Sequence, residues 1–223
     1  MKIAACFSGQ ARSFDLGYQY QHHNLFSRYD VDVYIHTWNF ARSQELLDLY
    51  QPVKYKFEDA LAVDCSRYTN TADTTKHPQI ATYSMFYSMN ESRKLLEGNY
   101  DWVVRIRTDW ALNVVYDFAN LDSSKIYIPY EPHVDYPERD GGNDQFAFGS
   151  QENIAKYMST FENIDRYYDN GTVFIGEQMM QANLREHGLV GDKLEYIDAN
   201  HPFGPGAYNG TPHSLIRDDR FRW

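Results

Sequence analysis

The sequence predicts a single α/β domain carrying a mostly parallel, mixed sheet flanked by helices. Three observations predict it. Short apolar runs alternate with helix-like stretches, as in strand-helix-strand crossovers. The first run is apolar at every position, the mark of a strand covered on both faces. The chain has 223 residues, more than a typical domain of roughly 150 but short of two full-sized ones.

Ile3, Ala4, Ala5, Cys6 and Phe7 form that first run, and Ser8-Gly9 closes it. Residues 14–29, with Leu16, Tyr20, Leu25 and Phe26, fit a helix loosely. Val31-Asp32-Val33-Tyr34-Ile35-His36 then reads as a strand, which completes a parallel crossover. Leu46, Leu47 and Leu49 mark a short helix, and the strict alternation of Val53-Lys54-Tyr55-Lys56-Phe57 marks a strand with one wet face. Residues 66–77 have no periodicity and read as a loop. Ile80, Tyr83, Met85, Phe86, Met89, Leu95 and Leu96 form the best helical stripe, which Gly98-Asn99 stops. Strands are expected at residues 101–109, 125–129 and 145–149, with a loop rich in Pro, Gly and Asp at 132–143. Helices at about 152–168 and 174–187 and a strand at 193–197 follow, before a tail rich in Pro, Gly, His and Arg. There is no internal repeat.

Hydrophobic residues make up 43% and charged residues 23%, which excludes a disordered chain. Aromatic residues reach 16%, with 19 Tyr, a composition suited to sugar-facing clefts as well as to cores. The net charge of −10 argues against binding a nucleic-acid backbone, so an anionic substrate must meet a local basic patch. Cys6 lies in a run that reads as buried, so a free thiol is expected rather than a bridge to Cys65. The start is too short for a signal-peptide apolar region and no long apolar run follows; a soluble, cytoplasmic protein without a membrane anchor is expected.

Arg105, Arg107 and Asp109 are spaced by two on an expected strand, which places all three on one face near its C-terminal end. Two arginines flanked by apolar residues call for an anion, and open α/β sheets bind ligands at that end. An ion-paired Arg-Asp ladder is the alternative.

Four blocks together resemble small GT-A-type glycosyltransferases of the kind found in bacterial polysaccharide clusters and in phages. They are Ile3-Ala4-Ala5-Cys6-Phe7-Ser8-Gly9-Gln10-Ala11-Arg12-Ser13, Val33-Tyr34-Ile35-His36-Thr37-Trp38, Tyr100-Asp101-Trp102-Val103-Val104-Arg105-Ile106-Arg107-Thr108-Asp109 and Asn143-Asp144-Gln145-Phe146-Ala147-Phe148-Gly149. The resemblance spans nearly the whole chain. It implies one GT-A-like, Rossmann-like domain over residues 1–223, with a nucleotide-sugar-binding half at 1–110 and an acceptor-side half at 111–223. It implies a hexosyltransferase that moves a sugar from a nucleotide-diphosphate sugar to a saccharide or other hydroxyl acceptor; a UDP-sugar is favoured, UDP-glucose among them. It further implies Mn²⁺ or Mg²⁺ bridging the diphosphate to an Asp-x-Asp motif. Here the motif departs from the pattern, because Arg107 stands two residues before Asp109. Asp109 and a distant ligand would then hold the metal, or the arginines would replace part of its charge. In similar retaining enzymes a C-terminal His completes the metal site, a part open to His201 or His213.

After the first strand, Ser8, Gly9 and Arg12 offer a turn with backbone N–H groups and a cation for nucleotide or phosphate; a plain turn capped by Ser13 is the alternative. Trp38 offers a ring for a base or sugar, or else a core tryptophan. Asp144, Gln145 and Glu177 place polar groups beside apolar neighbours, where a carboxylate could take the acceptor's proton; for Glu177 the alternative is a helix-dipole charge. Two other classes compete. A non-catalytic carbohydrate-binding module would suit the aromatic content but has no need of Arg105 and Arg107. A sugar nucleotidyltransferase calls for a glycine-rich phosphate loop, and residues 8–13 hold one glycine.

Overall fold

In the computed structural model, residues 1–69, 78–129 and 142–197 are described, together with the backbone of 213–215. The strands are β1 (Lys2–Ser8), β2 (Asp30–Trp38), β3 (Lys54–Glu58), β4 (Trp102–Ile106), β5 (Trp110–Leu112), β6 (Ile126–Pro129), β7 (Ala147–Gly149), β8 (Leu194–Ile197) and β9 (His213–Leu215). The helices are α1 (Phe14–Gln21), α2 (Ser43–Tyr50), α3 (Gln79–Leu95), α4 (Gln151–Tyr157), α5 (Ile164–Asp169) and α6 (Gly176–Glu186). Seven strands form one sheet in the order β3-β2-β1-β4-β7-β6-β8. Within it β7 alone runs antiparallel to its neighbours, so the sheet is mostly parallel and mixed, as expected.

The period of two sorts the sheet residues onto two buried faces. Ala4, Cys6, Tyr34 and Val103 pack with Phe86 and Met89 of α3, Ile154 of α4 and Met179 of α6. Ile3, Ala5, Phe7, Ile35 and Val104 pack with Phe14 of α1 and Leu46 of α2. Burial on both sides accounts for the uninterrupted apolar run in β1. Cys6 and Cys65 are both free thiols, and burial pushes Cys6 up to about 12.

Three expected elements are divided. The helix expected over 14–29 stops at Gln21 and continues as a wider π turn, His22–Phe26. The helix expected over 152–168 breaks after Tyr157, where Ser159 Oγ donates to the Lys156 carbonyl and Thr160 Oγ1 to that of Tyr157. These hydroxyls satisfy the last carbonyls locally, a 3₁₀ turn follows, and α5 starts anew. The strand expected over 101–109 ends at Ile106; residues 107–109 turn the chain into β5, which pairs antiparallel with β9.

The turn at 107–109 is fastened by a side chain of α1. Gln21 Nε2 donates to the carbonyls of Arg107 at 3.1 Å and Trp110 at 2.9 Å, while its Oε1 accepts from Tyr50. Gly17 permits this approach, because a Cβ there would collide with the Thr108 carbonyl.

Candidate functional site

The C-terminal ends of β1, β2 and β4 lie at one edge of the sheet, because all three strands are parallel. The edge carries the turn after Ser8, the Trp38 end of β2, and the Arg107–Asp109 turn after β4. Thr108 Oγ1 lies 3.5 Å from the carbonyls of both Gln10 and Arg12, which brings the first turn against the third.

Arg105, Arg107 and Asp109 do meet, although not as a row on one strand face. The shared-face expectation fails because the strand ends at Ile106; only Arg105 is a strand residue. Its side chain is fully buried on the α4 and α6 side of the sheet and donates to the Gln145 carbonyl, while Nε has no hydrogen-bond partner among the described residues. Burial pulls the Arg105 guanidinium below its ordinary value, and Asp144 and Asp109 pull the other way. Arg107 grips Asp109 with a two-pronged fork, Nε to Oδ1 at 2.8 Å and Nη2 to Oδ2 at 2.7 Å. Asp109 is the deeper partner: its side chain is 5% exposed against 21% for Arg107. Burial works against the Arg107 charge, but Asp109 outweighs it and holds the group above its ordinary value.

Asp144 reaches the same place from the other half of the chain. It precedes β7, whose reversed direction delivers the strand's start, rather than its end, to this edge. Asn143 Oδ1 accepts the N–H groups of Gln145 at 2.9 Å and Phe146 at 3.0 Å, while its carbonyl accepts from Tyr157. The Asp144 carboxylate packs against Gly176 at the start of α6, where a Cβ would collide with Oδ2. Negative charge is favoured there by the helix N-terminus. Glu177, half-buried in the first turn of α6, is tied to the same segment through its carbonyl, which accepts from the Gly142 N–H. Gln145 is half-buried beside them.

The turn after β1 is held differently from expectation. The Gly9 N–H is not offered to a ligand; it donates to Ser88 Oγ of α3 at 2.7 Å. Ser88 Oγ lies 2.7 Å from His36 Nδ1, and His36 Nε2 lies 2.8 Å from Glu58 Oε1. The direction of the chain follows from its ends. An ionised Glu58 can only accept, so Nε2 carries the proton; with the ring neutral, Nδ1 accepts from the Ser88 hydroxyl at 2.7 Å, closer than the His36 carbonyl at 3.3 Å, and Ser88 Oγ accepts from Gly9. Burial lowers the His36 value, which agrees with this neutral ring. Among the described residues the buried hydroxyls of Ser8 and Ser13 have no hydrogen-bond partner, and Ser13, at φ 42°, makes no side-chain cap to α1. Arg12 is exposed on this turn.

Trp38 does not offer its ring to a base. It is buried, nearly parallel to Tyr87 at 6.0 Å and edge-on to His36 at 5.4 Å, so it is a packed tryptophan. His201 lies outside the described residues. His213 is described only as backbone, in register with Leu112, and its side chain lies outside the description. Among the described residues no three His, Cys, Asp or Glu side chains gather to hold a metal ion. The one carboxylate at the motif position has both oxygens in the Arg107 fork, so the described residues do not fit a divalent cation.

Sequence reasoning did not assign Gln21, Ser88, Glu58 or Asn143 to this edge. Gln21, Ser88 and Glu58 are polar residues inside helices and an edge strand and carry no motif, while Asn143 opens the fourth block without a role of its own.

No family model matches the chain, and no curated protein matches its sequence. Solved structures do match in fold. The galactosyltransferase LgtC in complex with donor and acceptor sugar analogs aligns with a TM-score of 0.51 at 12% identity, covering 89% of this chain and 74% of that one. An active-site mutant of LgtC gives the same TM-score and identity over 89% of this chain and 73% of that one. The chain thus has the GT-A glycosyltransferase fold of LgtC, a single α/β domain on a seven-stranded, mostly parallel sheet.

Proposed function

We propose that the chain is a glycosyltransferase that moves a hexose from a nucleotide-diphosphate sugar, with a UDP-sugar such as UDP-glucose favoured, to a hydroxyl of a saccharide or similar acceptor. The observation that carries the reading is the meeting of Arg105, Arg107 and Asp109 with Asp144 and the start of α6 at the edge where the parallel strands end, within this fold. Residues 1–110 hold the donor in this reading, and residues 111–223 serve the acceptor.

The chemistry asks two things of such a site. The bond from the sugar's anomeric carbon to the diphosphate breaks, so the leaving group gains negative charge and must be stabilised more than the intact donor. Arg107, with Arg12 on the neighbouring turn, supplies positive charge at that place. The acceptor hydroxyl must also lose its proton as its oxygen bonds to the sugar. In this reading Glu177 takes that proton, and Asp144 and Gln145 face the reacting sugars.

The test is a donor screen. Uridine, guanosine, cytidine and thymidine diphosphate sugars are incubated with the chain, and free nucleoside diphosphate is measured by liquid chromatography. Release from at least one donor, faster with a saccharide acceptor than with water, is expected. No release from any donor, together with unchanged melting in all four nucleoside diphosphates, removes the reading.

A further inference from the structure

The residue pair at the end of β4 differs in charge from a pair of carboxylates, and the difference has chemical content. Two carboxylates carry a charge of −2 and attract a dication. Arg107 and Asp109 sum to zero, and the cationic member is the more exposed one. A divalent cation approaching Asp109 meets a guanidinium within hydrogen-bond distance of both carboxylate oxygens. An anion meets the opposite arrangement. The fork uses Nε and Nη2, which leaves Nη1 with both its N–H groups unbonded among the described residues. Asp109 fixes the plane of the guanidinium, so little side-chain freedom is lost when an anion arrives. Arg105 adds a second, fully buried positive charge, which Asp144 faces, and among the described residues its Nε and the hydroxyls of Ser8 and Ser13 at the adjoining turn are buried without a hydrogen-bond partner.

Resting on the donor reading above, we propose that Arg107, oriented by Asp109, is itself the counter-charge of the donor's diphosphate, and that a nucleoside diphosphate binds at this edge without a divalent cation. Asp109 is then a positioning residue rather than a metal ligand.

Isothermal titration of the full chain with UDP, GDP, CDP and dTDP, each in excess EDTA and again in Mn²⁺, tests this. One diphosphate is expected to bind with the same affinity in both buffers. Arg107→Ala should weaken it about 10- to 100-fold in both, the loss of a charge-assisted hydrogen bond to an anion. Arg107→Lys keeps the charge but not the fork and guards against a folding defect in the alanine variant; it should lie between. Asp109→Asn should weaken binding by one factor in both buffers. Binding that requires Mn²⁺, or an Asp109→Asn variant that loses only a Mn²⁺-dependent part, overturns the proposal and leaves the glycosyltransferase reading standing. A folded Arg107→Ala variant that binds like the unaltered chain in EDTA also overturns it. Absence of binding for all four diphosphates in both buffers overturns the proposal and the donor reading together.

Discussion

The Gly9 N–H donates to Ser88 Oγ at 2.7 Å, and this contact fastens the turn after β1 to helix α3. Ser88 is buried, so removing its hydroxyl leaves both the Gly9 N–H and His36 Nδ1 without a partner. Ser88→Ala should therefore destabilise the fold by about 1–3 kcal/mol, the usual range for an orphaned buried polar group. Urea unfolding of the two proteins measures the difference.

The same relay sets a pH dependence. Burial raises the Glu58 carboxyl, but Lys56, His36 and Tyr87 outweigh it and hold the group at about 2, below its ordinary 4.5. His36 lies below its ordinary 6.5 because it is buried. Both groups bind protons less readily folded than unfolded, so stability is highest above 6.5 and falls with acidification. The His36 share is lost first, below 6.5, and the Glu58 share between 4.5 and about 2. Melting temperatures should decline across these two windows; a rise on acidification contradicts the relay's direction.

Gly176 is the position where the start of α6 touches Asp144. Gly176→Ala forces the carboxylate away and should cost about 1–3 kcal/mol through overpacking. On the proposed function, sugar transfer should drop more than this loss of stability explains, because the Asp144 carboxylate is displaced. Activity assayed well below the variant's melting temperature separates the two effects.

Glu177→Gln keeps the shape of the side chain and removes its charge. If Glu177 is the acceptor's base, as proposed, turnover should fall about 10²- to 10⁴-fold in the variant with donor affinity unchanged. A variant with a raised acceptor KM and unaltered kcat would assign it to acceptor positioning, and wild-type kinetics would place it outside the site.

Much of this architecture can be read from the chain. The apolar run of Ile3 to Phe7 is legible because both faces of β1 are buried, and the stripe from Ile80 to Leu96 because α3 lays one face on the sheet. Elements that end by side-chain chemistry are not legible that way. Ser159 and Thr160 stop α4 by bonding its carbonyls, and Gln21 folds the 107–109 turn from a position 86 residues away in sequence. For the site, Arg105, Arg107, Asp109 and Asp144 stand out as charges among apolar neighbours. The pairing of Arg107 with Asp109 follows from the end of β4 at Ile106, beyond which the chain forms the turn that Gln21 contacts. Trp38 looks the same in sequence whether it stacks on a ligand or on Tyr87; only its burial decides.

The reversal of β7 gives this edge two ways of placing a group. Groups at the ends of β1, β2 and β4 follow parallel strands, so each is tied to the segment that comes after its strand. Asp144 instead lies upstream of its strand, and the Asn143 bonds to Gln145 and Phe146 anchor it from within the segment. The two sides of this edge are thus positioned by different means, one by strand ends and the other by bonds within the segment that precedes a strand.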